Sequence, residues 1–500
     1  MEPLTAEAVF EILADQERVR TAPFKGQRIA SLNAAGHIFP EFVNFDGAVF
    51  AQQADFQNAD FRSGASFLGA VFEHKAEFSY AQSRGLAYFW KACFQQEASF
   101  FRMTTGCEHP EKSRYPGESN FSYARFESNA NFQRARFQGP TYFYRTIFRG
   151  KEVSFEEARF DDSAIFEGQE NDICISEAEL PDACLQYLKD KHYVVKCADN
   201  PGYYNFDVRI RSEKRLKENL EEKQQPKRRR FFVRGGKREA IRTPSVTTLS
   251  AEQITTVLQK WTECSQPMFA TAANVSLQAM VLIRPDAVSF YRVDLSGCTF
   301  RNTHLDKVEF VDVNWDAAST FGLLGRLSTR RAVHDESQID LNGELDSKTA
   351  RRHYLDLREI YHDLRKNYEA KGILGEARDF YYGELEMDFL SKHPFRRLFS
   401  LTALYRVLSG YGTQEPLALL WLFFFVMVLF PALYLLFGSQ NIQLALLRSL
   451  EIATFLKQPS SAPGIPEPSI AARFTEGIER LTVAVQASLF ILATKAKFKE

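Results

Sequence analysis

Between Phe45 and Phe166 a large apolar residue, nearly always phenylalanine, recurs every fifth or sixth position, and the alternating gaps give a register that repeats every eleven residues. One row runs Phe45, Phe56, Phe67, Phe78, Phe89, Phe100 and resumes, after an insertion, at Phe121, Phe132 and Phe143. A second row, offset by five, runs Phe50, Phe61, Phe72, Phe94, Phe126, Phe137 and Phe148, with Ser83 as its one lapse. A short residue stands two places before most of these rings, as in Ala54-Asp55-Phe56 and Ala59-Asp60-Phe61, and polar residues fill the remaining places. After a slip of one residue the pattern continues through Phe155, Phe160 and Phe166. Strands alternate every two residues and helices every 3.6, so steps of five advance about 140° around a helix and scatter the rings. An eleven-residue period also suits a right-handed coiled coil. The two rows would not share one stripe there, and Gly, Ser and Asn are too frequent in the window. A chain that turns a corner every five or six residues buries one ring and one small residue per segment and stacks its coils as a solenoid.

The Ala-Asp-Phe, Ala-Ser-Phe and Ala-Val-Phe steps resemble the pentapeptide-repeat family. That resemblance implies a right-handed quadrilateral β-helix with inward ladders that include Phe56, Phe61, Phe67, Phe72 and Phe78, and with small residues inward at the corners. The fold class expected for the whole chain is mixed β and α: this β-helix over 41–170, then a helical hairpin and a two-helix transmembrane domain. Residues 1–40 carry charges throughout, show no signal peptide, and are expected to form a helical cap on the first coil.

A second block keeps strict fives: Phe290, Leu295, Phe300, Leu305, Phe310 and Trp315, with Val288, Val293, Cys298, Thr303, Val308 and Val313 two places before. Residues 285–318 make little more than one coil, so they are expected to stack on the first β-helix, with 171–284 as an insertion. From Ser347 the spacing becomes helical, with Tyr354, Leu357, Ile360, Tyr361, Leu364 and Tyr368, and Lys371-Gly372 ends that helix. A second helix from about Gly375 to Leu390 completes a hairpin within 345–393. Leu364 to Glu369 and Ala377 to Glu384 resemble a segment of bacterial pentapeptide-repeat membrane proteins that precedes their membrane domain. Glu384 and Glu386 on this charged helix read as salt-bridge partners rather than as a catalytic pair.

Residues 394–500 are expected to form the membrane domain. Pro416 to Phe437 is 22 residues without a charge, long enough at about 1.5 Å per residue to cross a hydrocarbon core of about 30 Å. Leu481 to Thr494 is a weaker second span, followed by Lys495, Lys497 and Lys499. Lys392, Arg396, Arg397 and Arg406 precede the first span, so both ends are expected on the cytoplasmic side, in a bacterial inner membrane. Between the spans, residues 442–456 resemble the pore helix of two-span tetrameric cation channels. Their Thr-x-Gly-Tyr-Gly filter is absent: Thr454-Phe455-Leu456-Lys457 stands in its place, and Gly410-Tyr411-Gly412 lies before the first span. Potassium selectivity is therefore not expected. Thr482, Gln486 and Ser488 would line a pore, with Arg448 or Glu451 near its outer mouth, or would serve helix packing.

Formal net charge is −1 over 500 residues, so no global field selects a nucleic acid or an acidic partner. Charge concentrates locally, with thirteen Lys/Arg against five Glu between Arg211 and Arg242. Lys227, Arg228, Arg229 and Arg230 are its candidate contact for anionic lipid or nucleic acid, against the plainer reading of a solvated linker. Seven cysteines at irregular spacing, without a CxxC pair, indicate neither a zinc site nor a disulfide framework. Cys107 and His109 are the nearest approach to a metal pair. No P-loop, dinucleotide glycine motif or nucleophile elbow occurs, so neither an enzyme nor a cofactor is expected.

Three functions follow. The first is a tethered sensor or scaffold whose spans oligomerise, with a protein partner on the β-helix, and which forms a channel or a permeabilising effector in stress or phage defence. The second is a tethered scaffold that does not conduct. The third comes from the gyrase-protecting DNA mimics among pentapeptide-repeat proteins. Residues 45–167 hold sixteen acids and fourteen bases, a balance that disfavours mimicry.

Overall fold

The computed structural model describes residues 4–106 (except 16, 19, 20 and 22), 117–168, 267–320, 329–341, 347–437, 441–454 and 470–497, with short pieces at 175–176, 182–190, 194–196, 203–206 and 253–257 (except 254). Two-residue strands joined by tight corners build a parallel β-solenoid of about eight turns. Ala54 pairs with Ala76, and Ala76 with Ala98, so one coil takes 22 residues and the eleven-residue period is half a coil. Four parallel sheets form its faces. The first runs from Arg28–Ile29 to Ile147–Phe148, the second from Leu32–Asn33 to Cys298–Thr299, the third from Ile38–Phe39 to Val281–Leu282, and the fourth from Val43–Asn44 to Glu309–Val311.

Each row of rings in the sequence divides into two ladders on opposite sides of the core. Phe56, Phe78, Phe100, Phe132 and Phe155 stack at 4.7–5.2 Å. Phe45, Phe67, Phe89, Phe121, Phe143 and Phe166 stack at 4.9–5.0 Å, and the ladder continues through Phe290 to Phe310. Rings of the two opposed ladders meet edge to face across the core, as Phe89 does Phe100 at 5.5 Å, the arrangement that the ring quadrupole favours. On the third face the ladder lapses at Ser83 and Thr105, both buried. Backbones there close so tightly that a Cβ on Gly85 would lie 2.5 Å from Ser63 O. At the ring corners a turn such as Phe45 to Ala48 demands φ > 0 at its third residue. Gly47 supplies it, but Asn58, Tyr80, Lys91, Arg102, Tyr123, Arg134 and Arg145 adopt it in other coils.

Glu152–Ser154 pairs with Asn274–Ser276, Arg159–Phe160 with Val281–Leu282, and Ala164–Glu167 with Val288–Tyr291. The chain therefore leaves the solenoid after Gly168 and returns one coil further on. The β structure resumes at Met268, which bridges Val293, well before residue 285, because Leu277 and Leu282 stand where Phe155 and Phe160 stand one coil earlier. Within the excursion the described pieces include a helix, α2 (Asp182–Asp190), and an antiparallel three-stranded sheet.

Both solenoid ends are covered. At the start, α1 (Ala6–Ala14) is N-capped by Thr5 and buries Val9 and Ile12. The first coil already begins at Arg28 rather than near residue 41, with Phe24 stacked on Phe45. At the far end stand α3 (His334–Leu341) and a hairpin of α4 (Ser347–Ala370) and α5 (Leu374–Ser391), with α4 carrying Leu357, Ile360, Tyr361 and Leu364 into the same core as the rings. Beyond lie α6 (Pro394–Leu398), α7 (Leu401–Ser409), α8 (Glu415–Leu436), α9 (Ile442–Ala453) and α10 (Ile470–Lys497).

Candidate functional site

An open solenoid end leaves backbone groups without partners, and each is costly when buried. Side chains of α3 and α4 satisfy those of the last coil. Phe300 N and Arg301 N donate to Asp335 at 2.7 and 3.2 Å, Leu305 N donates to Asp363 at 3.2 Å, and Asn367 Nδ2 donates to Leu305 O at 3.2 Å and to Val308 O. Burial pushes the Asp335 carboxyl up, against the pull of its two backbone donors. Trp315 Nε1 donates to Tyr368 OH at 2.9 Å, and burial raises that phenol to about 12. Arg330, 2 % exposed at its side chain, pairs with Glu336 at 2.6 Å and with Tyr361 OH at 3.3 Å. Burial alone would lower its pKa; Tyr361 and Glu336 override that and raise it.

Beside this junction a groove of about 520 Å³ is lined by His304, Arg358, His362, Asp363, Glu384 and Asp388, among others. Glu384 pairs there with Arg365 at 2.7 Å and with His362 at 2.9 Å. Glu386 is bound to Arg406 and accepts from Tyr411 OH at 2.9 Å. Both carboxylates therefore occupy ion pairs. Among the described residues no group of three or more His, Cys, Asp or Glu side chains is placed to hold a metal ion.

The Glu386–Arg406–Tyr411 contact carries the hairpin onto the last helices, and there the distribution of polarity reverses. Two helices, Glu415–Leu436 and Ile470–Lys495, are long and apolar enough to cross a membrane, with mean hydropathies of 2.6 and 1.3. Their exposed surface includes Leu419, Leu420, Phe423, Val428, Ile478, Leu481, Val485 and Ile491, with Arg473 and Arg480 on the second helix, while Gln486, Glu479 and Thr475, and Ser449 of α9, are buried. A π-turn, Phe425–Leu429, precedes Pro431 in α8. Proline has no N–H to give back along the helix, and such turns commonly absorb the misfit. Ser449 Oγ of α9 lies 2.7 Å from Val426 O in that turn and also contacts the Glu479 carboxylate, which accepts from Tyr434 OH at 2.5 Å. Arg448 stands beside them, its Nε 2.9 Å from Glu476 and its guanidinium over the Tyr434 ring.

Gln486 is 1 % exposed, and its Nε2 donates to Leu408 O at 3.0 Å and to Ala418 O at 2.8 Å. In one chain it packs α10 against the last turn of α7 and the first turn of α8. Thr482 is half-buried, and exposed Ser488 donates to Ala484 O in its own helix. Arg448 is held by Glu476, and Glu451 is half-buried on α9. Glu476, Glu479 and Tyr434 join this buried cluster without having been expected there. The signal was two glutamates spaced i, i+3 just before the second apolar run. Phe56, Phe61, Phe67, Phe72, Phe78, Phe300 and Phe310 all lie in the solenoid core. Residues 211–242, with Lys227 to Arg230, and the pair Cys107 and His109 lie outside the described residues.

On the solenoid's outside, one corner carries an aromatic and cationic ridge over successive coils. Lys91 Nζ lies 4.2 Å from the Trp90 ring centre, Trp90 meets Tyr123 at 5.7 Å, Tyr123 meets Tyr144 at 5.5 Å, and Arg145 covers Tyr144 at 5.0 Å. Elsewhere charges pair between coils, as do Arg28 with Glu73, Arg134 with Glu157 and Arg284 with Asp162. No acidic face of the kind a DNA mimic requires emerges from these pairs.

Residues 38–82 and 121–168 match the family of pentapeptide repeats, in nine copies. The matched stretches omit the coil with Ser83 and Thr105 and the coils after the excursion, where rings give way to other residues. No curated protein and no solved structure matches the chain. The molecule is a parallel β-solenoid whose residues 38–82 and 121–168 carry pentapeptide repeats, followed by two helices long and apolar enough to span a membrane.

Proposed function

We propose that the protein is a membrane-tethered interaction scaffold. Two antiparallel spans, α8 and α10, hold the solenoid at one face of the membrane, and its aromatic and cationic corner receives a protein partner. One observation carries the reading: the α4–α5 hairpin seals the last coil through Asp363 and Asn367 and is fastened by Glu386 to Arg406 and Tyr411 beside the first span. Solenoid and spans are thereby joined by packed contacts rather than by a loose tether. The cations before α8 favour a cytoplasmic position for the solenoid and the C-terminus at a bacterial inner membrane, and the apolar outer surface of the spans suits association into homo-oligomers. The residues that would line a pore are engaged within one chain, which favours a non-conducting tether over a channel. The test is to size the full chain in detergent and then record ion flux from liposomes carrying wild type or Gln486→Leu. Oligomers without flux are expected. A flux that Gln486→Leu alters would overturn the scaffold in favour of a pore.

A further inference from the structure

We propose that α6–α7 lies flat in the headgroup–acyl boundary of the leaflet on the solenoid's side and takes anionic lipid as its partner. The proposal rests on the reading that α8 and α10 cross the membrane. Of the helices, α7 is the most amphipathic, but its polarity is inverted relative to a helix packed on a protein in water. Its polar side chains face inward: Arg406 reaches Glu386, Ser409 Oγ accepts from Gly412 N at 3.0 Å, and Thr402 accepts from Lys392 Nζ at 3.3 Å. Leu401 and Leu404 face outward. Leu401 is 85 % exposed and Leu404 55 %, continuous with Phe395 at 69 %, Leu398 at 74 % and Phe399 at 75 %. Such a stripe belongs in an apolar medium, and the nearest is the one α8 enters six residues after Ser409.

The depth is set by geometry. Gly410, Tyr411 and Gly412 take φ of 53°, 59° and 72°, which turns the chain sharply between α7 and α8. A Cβ on Gly412 would lie 2.4 Å from Tyr405 Oη, so the turn accepts little else. Gln486 then ties the last turn of α7, at Leu408 O, to the first turn of α8, at Ala418 O. This places α7 level with the start of a span, where headgroups stand. Charge selects the headgroup: no acid occurs between Asp388 and Glu415, and Arg396 and His393 stand exposed beside the apolar stripe, while Arg406 is held by Glu386 and Lys392 by Asp388. Basic residues flanking an apolar stripe at this level attract anionic lipid.

The test places benzoylphenylalanine singly at Phe399, at Phe423 on the first span and at Tyr80 on the solenoid, in the full chain reconstituted in vesicles of phosphatidylcholine and phosphatidylglycerol. Irradiation is expected to give phospholipid adducts at 399 and 423 and none at 80. At 399 the phosphatidylglycerol share is expected to exceed that at 423 by about threefold, and Arg396→Gln is expected to lower it. Adducts at 423 with none at 399 would overturn the proposal and leave the spans standing. Adducts at neither position would overturn the spans themselves. Adducts at 399 in the bulk lipid ratio would overturn the anionic assignment.

Discussion

The solenoid and the last hundred residues are built from much the same side chains, arranged in opposite senses. In the solenoid, Phe56, Phe78 and Phe100 are fully buried and the charges sit outside in pairs such as Arg134 with Glu157. Among α7–α10 many phenylalanines and leucines are outside, Phe423, Phe474, Leu404 and Leu419 among them, while Glu479, Gln486 and Ser449 are buried. A protein in water lowers its free energy by hiding apolar area, so the first arrangement declares water as its surroundings. In hydrocarbon an exposed leucine costs nothing, whereas a polar group facing lipid is expensive and turns inward to a partner. The changeover falls in the α4–α5 hairpin, which gives Leu357 and Ile360 to the solenoid core and Glu386 to the buried polar contacts beyond.

Substitutions of one residue type in the two regions test this contrast most sharply. Phe100→Ala empties a site where Phe78, Phe89, Phe121 and Phe132 meet, and should cost about 4 kcal/mol. Phe423→Ala, on the outer face of α8, should change stability by less than about 0.5 kcal/mol. Urea unfolding of the detergent-solubilised full chain, followed by tyrosine fluorescence and helicity, measures both. Arg406→Met strips the buried Glu386 of its cation and is expected to cost about 3 kcal/mol, read as faster hydrogen exchange in α5 and α7 while the first coils stay protected. Ser449→Ala removes a partner of both Glu479 and Val426 O, and should lower resistance to detergent unfolding by about 1–2 kcal/mol. The smallest effect has the opposite sign. Lys307 is held at φ 64°, and Lys307→Gly should stabilise by about 0.5 kcal/mol, the left-handed strain relieved less the entropy that glycine adds to the unfolded chain.

Much of the solenoid was legible because each ring's place follows from the local chain: five or six residues reach the next corner, and the ring there is buried whatever surrounds it. The ends were less so. The coil at Arg28 and the return at Met268 use Ile29, Ala34, Leu277 and Leu282 in place of rings, so the rhythm fades although the pairing persists. Polar residues of the helical region were the hardest to place, since their roles are set by partners distant in sequence. Gln486 reads as pore lining on a helical face, yet its partners are carbonyls 68 and 78 residues earlier. Glu479 lies outside the apolar run that marks a span, because an acid ends such a run, and its partner Tyr434 lies 45 residues away.

The inverted arrangement has meaning only if α7–α10 sit in a bilayer, and alkaline carbonate extraction of membranes containing the full chain tests that most directly. The protein is expected to stay in the membrane pellet with lipid. Its recovery in the supernatant as a soluble chain would contradict the membrane assignment and with it the contrast between the two regions.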